Sequence, residues 1–445
     1  MTTFSPRWVS PSSRSCPGPR PLFRSWTVRR PKQVLWAPGL SRSTKVTSLG
    51  RSLGSKTAIE PLSLLSSIHS PACPKGPAPL KIERIDVIPY SIPYTHPLKF
   101  ASGEVANADH VLVRIYTDDG VVGLADAPPR PYTYGETQES IVTIIGKTFA
   151  PQLIGLELLD REQVQVVLRR TINNQVAKGA IDIAIWDALG KTLGTPVHKL
   201  LGGYTDRMRV SHMLGFRPAR ELLDEALRFG EEYGITTFKL KVGRRPLSLD
   251  VEACRILREG LGDDVEIYLD ANRGWTANEA LEVLRRTDGL GLTLLEEPCD
   301  AREAMSRRRL VDKSPIPVVG DESVPTAGDA ARELLSGGCN AICIKTARSG
   351  FTEATEILGL CTGLGVDVTM GNQIDTQVGT LATIAFGAAH EATSRRAGEL
   401  SNFLDMSDDL LAEPLRIEGG TIPVRDLPGV GADIDEDKLA KYRLS

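Results

Sequence analysis

From Gly203 onward, short apolar strands alternate with helical stretches at a spacing of roughly 25 residues, and this rhythm narrows the possible folds more than any other feature of the chain. Strands are expected at 209–216, 236–242, 265–270, 292–296, 317–321, 341–345, 366–370 and 399–405. Eight strands with intervening helices predict an α/β fold, a closed (β/α) barrel over 206–410. The competing arrangement is an open doubly wound sheet. Against it, no GxGxxG stands at a strand-to-helix junction, and polar residues fall at the C-terminal ends of at least five strands, where barrels assemble their sites.

The segment 81–205 has a different texture. Ile82, Ile85, Val87 and Ile88 begin one extended stretch, and His110 to Tyr116 forms a second before the turn Asp118-Asp119-Gly120, which predicts a hairpin. The turn-rich link Tyr94–Gly103 between them is expected to be either a lid loop or an ordinary hairpin loop. Ala177, Ala180, Ile181, Ala184, Ile185 and Ala188 recur at helical spacing, so a small α+β domain is expected here. Before it, in the leader 1–80, eleven Arg or Lys and no acid precede Glu60, among many Ser and Pro. Such a leader is expected to be disordered, and is either an organelle transit segment or spurious upstream sequence.

Composition excludes several functions. A net charge of -3 offers no footprint for nucleic acid, and no run of 18 apolar residues is present, so no membrane span is expected. The seven cysteines are scattered without CxxC spacing and are expected to be reduced. A cytoplasmic location is expected, or an organelle if the leader is genuine.

The chemistry lies at the strand ends. In Phe238-Lys239-Leu240-Lys241-Val242 the two lysines share one face of a strand, because side chains alternate. Neighbouring ammonium groups in a partly desolvated site favour a neutral lysine able to act as a base. Three further strands end in acids, Asp270, Glu296 and Asp321. Each alone is explained by helix capping, but three in succession offer the converging oxygens that Mg²⁺ prefers, with Mn²⁺ a possible substitute. Lys345, at the end of the next strand, stands across the barrel from the first pair.

A KxK, then D, E and D, then a distant K resembles the muconate-lactonizing subgroup of the enolase superfamily, over about residues 81–440. The resemblance implies an enolase-type modified barrel with an N-terminal α+β capping domain and a C-terminal segment, 411–445, that returns to it. It implies Mg²⁺ on Asp270, Glu296 and Asp321, with Lys241 and Lys345 as acid/base pair and Lys239 in support. The implied reaction is removal of the proton alpha to a substrate carboxylate through a metal-stabilised enediolate. A homo-oligomer acting on a small carboxylate is implied as well.

Departures from the usual pattern bear on specificity. Glu297 stands where most relatives have Gln, and Phe351 where they have Gly; the histidine of a mandelate-racemase dyad is missing after Met370. Asn272, Arg348, Asn372, Gln373 and Asp405 are candidate substrate contacts, Asp405 as the partner of a substrate ammonium. The leading expectation is therefore a racemase or epimerase of an amino-acid-like or dipeptide-like acid. A muconate-type cycloisomerase, a dehydratase of hydroxy acids or hydroxyproline, and a non-catalytic metal-binding scaffold remain as alternatives.

Overall fold

The computed structural model describes residues 80–100 and 103–444. The leader expected over 1–80 lies, apart from Leu80, outside the described residues.

The N-terminal domain is a three-stranded antiparallel sheet, β1 (Ile82–Phe100), β2 (Gly103–Thr117) and β3 (Val122–Ala127), with order β1-β2-β3. The segment expected as a loop from Tyr94 instead prolongs both strands of the hairpin. The register shifts between Pro93 and Leu98, where the prolines Pro93 and Pro97 remove ladder donors. Helix Gln175–Thr192 crosses the sheet, and it is buried almost all round rather than along one stripe. It approaches so closely that a Cβ built on Gly123 would stand 2.0 Å from the Ala184 carbonyl oxygen.

The same helix ties this domain to the barrel and to the C-terminal segment through two buried carboxylates. Asp182 accepts from the backbone N–H groups of Phe351 and Thr352, and Asp187 accepts from those of Leu124 and Val430. Burial raises the pKa of both acids, and these donors hold against it.

The second domain is a nearly closed barrel of eight parallel strands with helices outside. The strands are β4 (Arg207–Leu214), β5 (Thr237–Lys241), β6 (Glu266–Asp270), β7 (Leu292–Glu296), β8 (Val318–Gly320), β9 (Ala341–Ile344), β10 (Asp367–Met370) and β11 (Gly398–Glu399). Their spatial order is β10-β9-β8-β7-β6-β5-β4-β11, and a last strand, β12 (Thr421–Pro423), pairs antiparallel with β4. The eighth barrel strand is shorter than expected. It ends at Glu399, and a single 3₁₀ turn, Asn402–Asp405, follows in place of strand. The C-terminal chain then runs back along the first domain, where Leu444 N–H donates to the Pro89 carbonyl and Glu436 pairs with Arg114. Among the described residues no helix is long and apolar enough to cross a membrane.

Candidate active site

Inside the barrel, Tyr268, Leu294, Val319, Ala341 and Cys343 form a small core layer of their own. Because inward-facing positions recur every second residue, the positions two further along point inward as well. Those positions are Asp270, Glu296, Asp321 and Lys345, with Lys241 two beyond the fully buried Lys239. One apolar layer therefore supports a layer of charge.

Lys239 Nζ lies 2.9 Å from Asp270 and 2.7 Å from Glu296, and it also contacts Glu399. Lys241 Nζ donates to Asp270 at 2.6 Å and to Asn272 at 2.7 Å. Across the barrel, Asp321 is shared between Lys345 and Arg348, the latter at 2.7 Å. Lys241, Asn272, Asp321, Glu322, Lys345, Asn372, Gln373 and Glu399 all line one cavity of about 520 Å³, closed on the other side by residues of the first domain.

The charge balance corrects one expectation. Burial opposes the charge on Lys239, but Asp270, Glu296 and Glu399 outweigh it and hold its pKa well above the ordinary lysine value. Lys345 is likewise raised, burial being outweighed by Asp321. The neighbouring ammonium was expected to favour neutral lysine; around Lys239 and Lys345 the carboxylates dominate instead.

The acids respond unequally. Burial pushes the Glu296 carboxyl well up, since Lys239 is shared with two other acids. For Asp270, burial is overcome by Lys239 and Lys241, and for Asp321 by Lys345 and Arg348, so both stay below the usual carboxylate range. Glu322 is pushed up to about 8 by burial and by Asp321. A cluster that cannot keep all of its carboxylates ionised has room for further positive charge.

Ligand atoms of Glu296, Asp321 and Cys343 lie within 4.8 Å of one another. Burial raises the Cys343 thiol, and a neutral thiol is a poor ligand for a hard cation. Asp270 is outside that group but shares Lys239 with Glu296, and its carboxylate would be a harder third donor. Three carboxylates on adjacent strand ends fit Mg²⁺ or Mn²⁺.

The remaining candidates are not all together. Asn372 donates to the Glu399 carbonyl, and Gln373 lines the cavity with Oε1 lacking a partner. Arg348 is buried behind Asp321, also bonded to Tyr134, and does not line the cavity. Asp405 lies in a neighbouring groove with His96 and Arg217. Glu297 turns away from the cavity. One of its oxygens accepts from the N–H groups of Asp321 (2.6 Å) and Ser323 (3.2 Å), the other from Arg307. Its φ of 35°, with 41° at Asn272 and 62° at Ile374, places left-handed non-glycine residues just after three strand ends.

The sequence reading missed Glu399, Tyr134, Arg130 and Glu322. Glu399 was open to detection, since it shares a face with Asp405 in any strand drawn over 399–405.

Comparison with known proteins agrees with this geometry. Residues 84–202 match the mandelate racemase/muconate lactonizing enzyme N-terminal domain family, and residues 221–438 match the enolase C-terminal domain-like family. The chain is 30% identical over 359 residues to L-Ala-D/L-Glu epimerase of Bacillus subtilis, covering 79% of this chain and 96% of that one. It is 29% identical to muconate cycloisomerase 1 of Rhodococcus opacus, covering 82% and 98%. Among solved structures, the muconate lactonizing enzyme of Mycobacterium smegmatis complexed with muconolactone is 57% identical, with a TM-score of 0.81 over 82% of this chain and 100% of that one.

Proposed function

Since the chain belongs to the mandelate racemase/muconate lactonizing enzyme family of the enolase superfamily, whose relatives here are isomerases, we propose that it is a cycloisomerase that interconverts a muconate-like dicarboxylate and its lactone. The observation that carries the reading is that Lys241 and Lys345 line one cavity from opposite sides, with the acid-bearing ends of β6, β7 and β8 between them. Lactone formation joins an oxygen of one carboxylate to the fourth carbon of the chain counted from that carboxylate, and a proton is added to the next carbon, beside the other carboxylate. The reverse removes that proton and breaks the C–O bond.

Each residue has a part. Lys241 and Lys345 flank the carbon that gains or loses the proton, and the one on the reacting face carries it at Nζ. Lys239, held by three acids, stays charged and orients Asp270 and Glu296. Mg²⁺ held by Asp270, Glu296 and Asp321 would supply positive charge where negative charge builds on the substrate carboxylate. Asn272 holds Lys241 in place.

Lactonization is favoured over epimerisation by the 57% identity with a lactonizing enzyme along its whole length, against 30% with the epimerase. Asp405 lines an adjoining groove and not this cavity, which weighs against its holding a substrate ammonium. Epimerisation stays as a second reading because two flanking lysines suit proton removal on one face and return on the other. Supplying cis,cis-muconate with Mg²⁺ to wild type, Lys241→Ala and Lys345→Ala tests the proposal. Loss of the diene in wild type, with at least one lysine variant slowed 10²-fold or more, is expected. No conversion of muconate beside lysine-dependent epimerisation of L-Ala-L-Glu would replace the first reading by the second.

A further inference from the structure

The cavity wall furnished by the first domain contains a cation that the proton chemistry does not use. Arg130 follows β3 in the proline-rich stretch Pro128-Pro129-Arg130-Pro131, whose restricted backbone fixes where the side chain starts. It lines the same cavity as Lys241 and Lys345. Those two lysines are each ion-paired, whereas no carboxylate of the described residues lies within salt-bridge distance of Arg130. Its Nη1 donates to the Pro129 carbonyl at 2.8 Å, and its Nη2 is buried with no partner. Burial works against the charge, and Tyr94, Asp375, Tyr134 and Asp126 offset it only from a distance.

An arginine cannot shed its proton, and Arg130 is only partly exposed, so the buried Nη2 end of its guanidinium is suited to an anion. Nearby, His110 Nδ1 is 3.0 Å from Asp126, leaving Nε2 buried and without a partner on the same wall. The Tyr94 hydroxyl, which interacts electrostatically with Arg130, is orphaned as well. Unpaired buried polar atoms are rare in a finished structure, and one on the cation itself with two more in the same domain mark a place that a ligand completes. Gln373 Oε1, also unpartnered, is an acceptor and stands outside this contact.

We infer that Arg130 receives the second carboxylate of the substrate, the one away from the carbon that exchanges its proton. The inference rests on the cycloisomerase reading. In that reaction the second carboxylate is the internal nucleophile and becomes a neutral ester. Arg130 therefore binds the dicarboxylate more tightly than the lactone, and holds the ground state at least as strongly as the transition state. Its loss is felt in KM for muconate far more than in kcat.

The test compares wild type, Arg130→Met and Arg130→Lys, all with Mg²⁺. The readouts are kinetics in both directions and calorimetric dissociation constants for muconate and muconolactone. Arg130→Met is expected to raise KM and Kd for muconate 30- to 300-fold, with kcat lowered less than 5-fold and affinity for muconolactone changed less than 3-fold. Arg130→Lys is expected to recover part of the loss. Equal losses for diacid and lactone, or none for either, would overturn the inference. If wild type binds muconate without converting it and Arg130→Met still discriminates, the reaction assignment fails while the role of Arg130 stands.

Discussion

The Glu297 carboxylate meets the Arg307 guanidinium at 2.7 Å with both side chains wholly buried, and the same carboxylate holds the backbone N–H of Asp321. Arg307 also donates to the carbonyls of Cys299 and Gly338 and to the Ser323 hydroxyl. The pair fixes the turn that carries Asp321. Removing one partner strands the other charge, so Arg307→Met and Glu297→Gln are each expected to cost about 3–5 kcal/mol. The double variant is expected to lose clearly less than the sum of the two. Urea unfolding of the three variants measures this, and simple additivity would mean that the pair is not coupled.

Mg²⁺ is expected to stabilise the folded protein through Asp270, Glu296 and Asp321. An ion at 100 times its dissociation constant adds about 2.7 kcal/mol, a shift of several degrees in Tm. Glu296→Gln and Asp321→Asn are expected to lose that shift, and chelator is expected to reverse it in wild type. Equal Mg²⁺ stabilisation of the variants would move the ion elsewhere.

Asp405 gives a pH signature. Burial, against a smaller pull from His212, pushes its carboxyl up to about 6. The folded state then holds a proton that the unfolded chain gives up near pH 4, so stability falls as pH rises through this window and is level above it. Asp405→Asn is expected to stabilise the protein by about 1 kcal/mol at pH 7.5, reduced by its partial exposure, and not at pH 4. Thermal unfolding at both values decides it. A gain that is the same at both would show that the carboxylate charge is not its source.

Gly123 is required by the close approach of helix Gln175–Thr192. An added Cβ would meet the Ala184 carbonyl oxygen at 2.0 Å and the Ala188 Cβ at 2.9 Å. Gly123→Ala is expected to destabilise by about 2 kcal/mol or more. An unchanged denaturation midpoint would contradict that packing.

How much of this was legible in the sequence follows from the physics of each element. Lys239, Lys241, Asp270, Glu296, Asp321 and Lys345 come together because alternation along a strand is strict, and a pattern of period two can be read without coordinates. Glu399 opens the strand expected over 399–405, and only the fold, in which β11 ends at Glu399, makes it a strand-end acid. Arg307 stands in Arg307-Arg308-Arg309, which reads as a solvated helix face; only the fold reveals that its first member is buried against Glu297. Arg130 lies in a proline-rich link whose side chains carry no periodic signal. The protonation of Lys239 depends on three acids from distant parts of the chain, and local sequence holds no record of that sum.

The most direct measurement is the conversion of cis,cis-muconate in D₂O with Mg²⁺, followed by NMR in wild type, Lys241→Ala and Lys345→Ala. The account predicts muconolactone with one deuterium at the carbon beside its free carboxylate, abolished by chelator and slowed 10²-fold or more by loss of the lysine on the reacting face. Lactone formed at the same rate in both lysine variants, or no lactone in a Mg²⁺-loaded wild type, would contradict it.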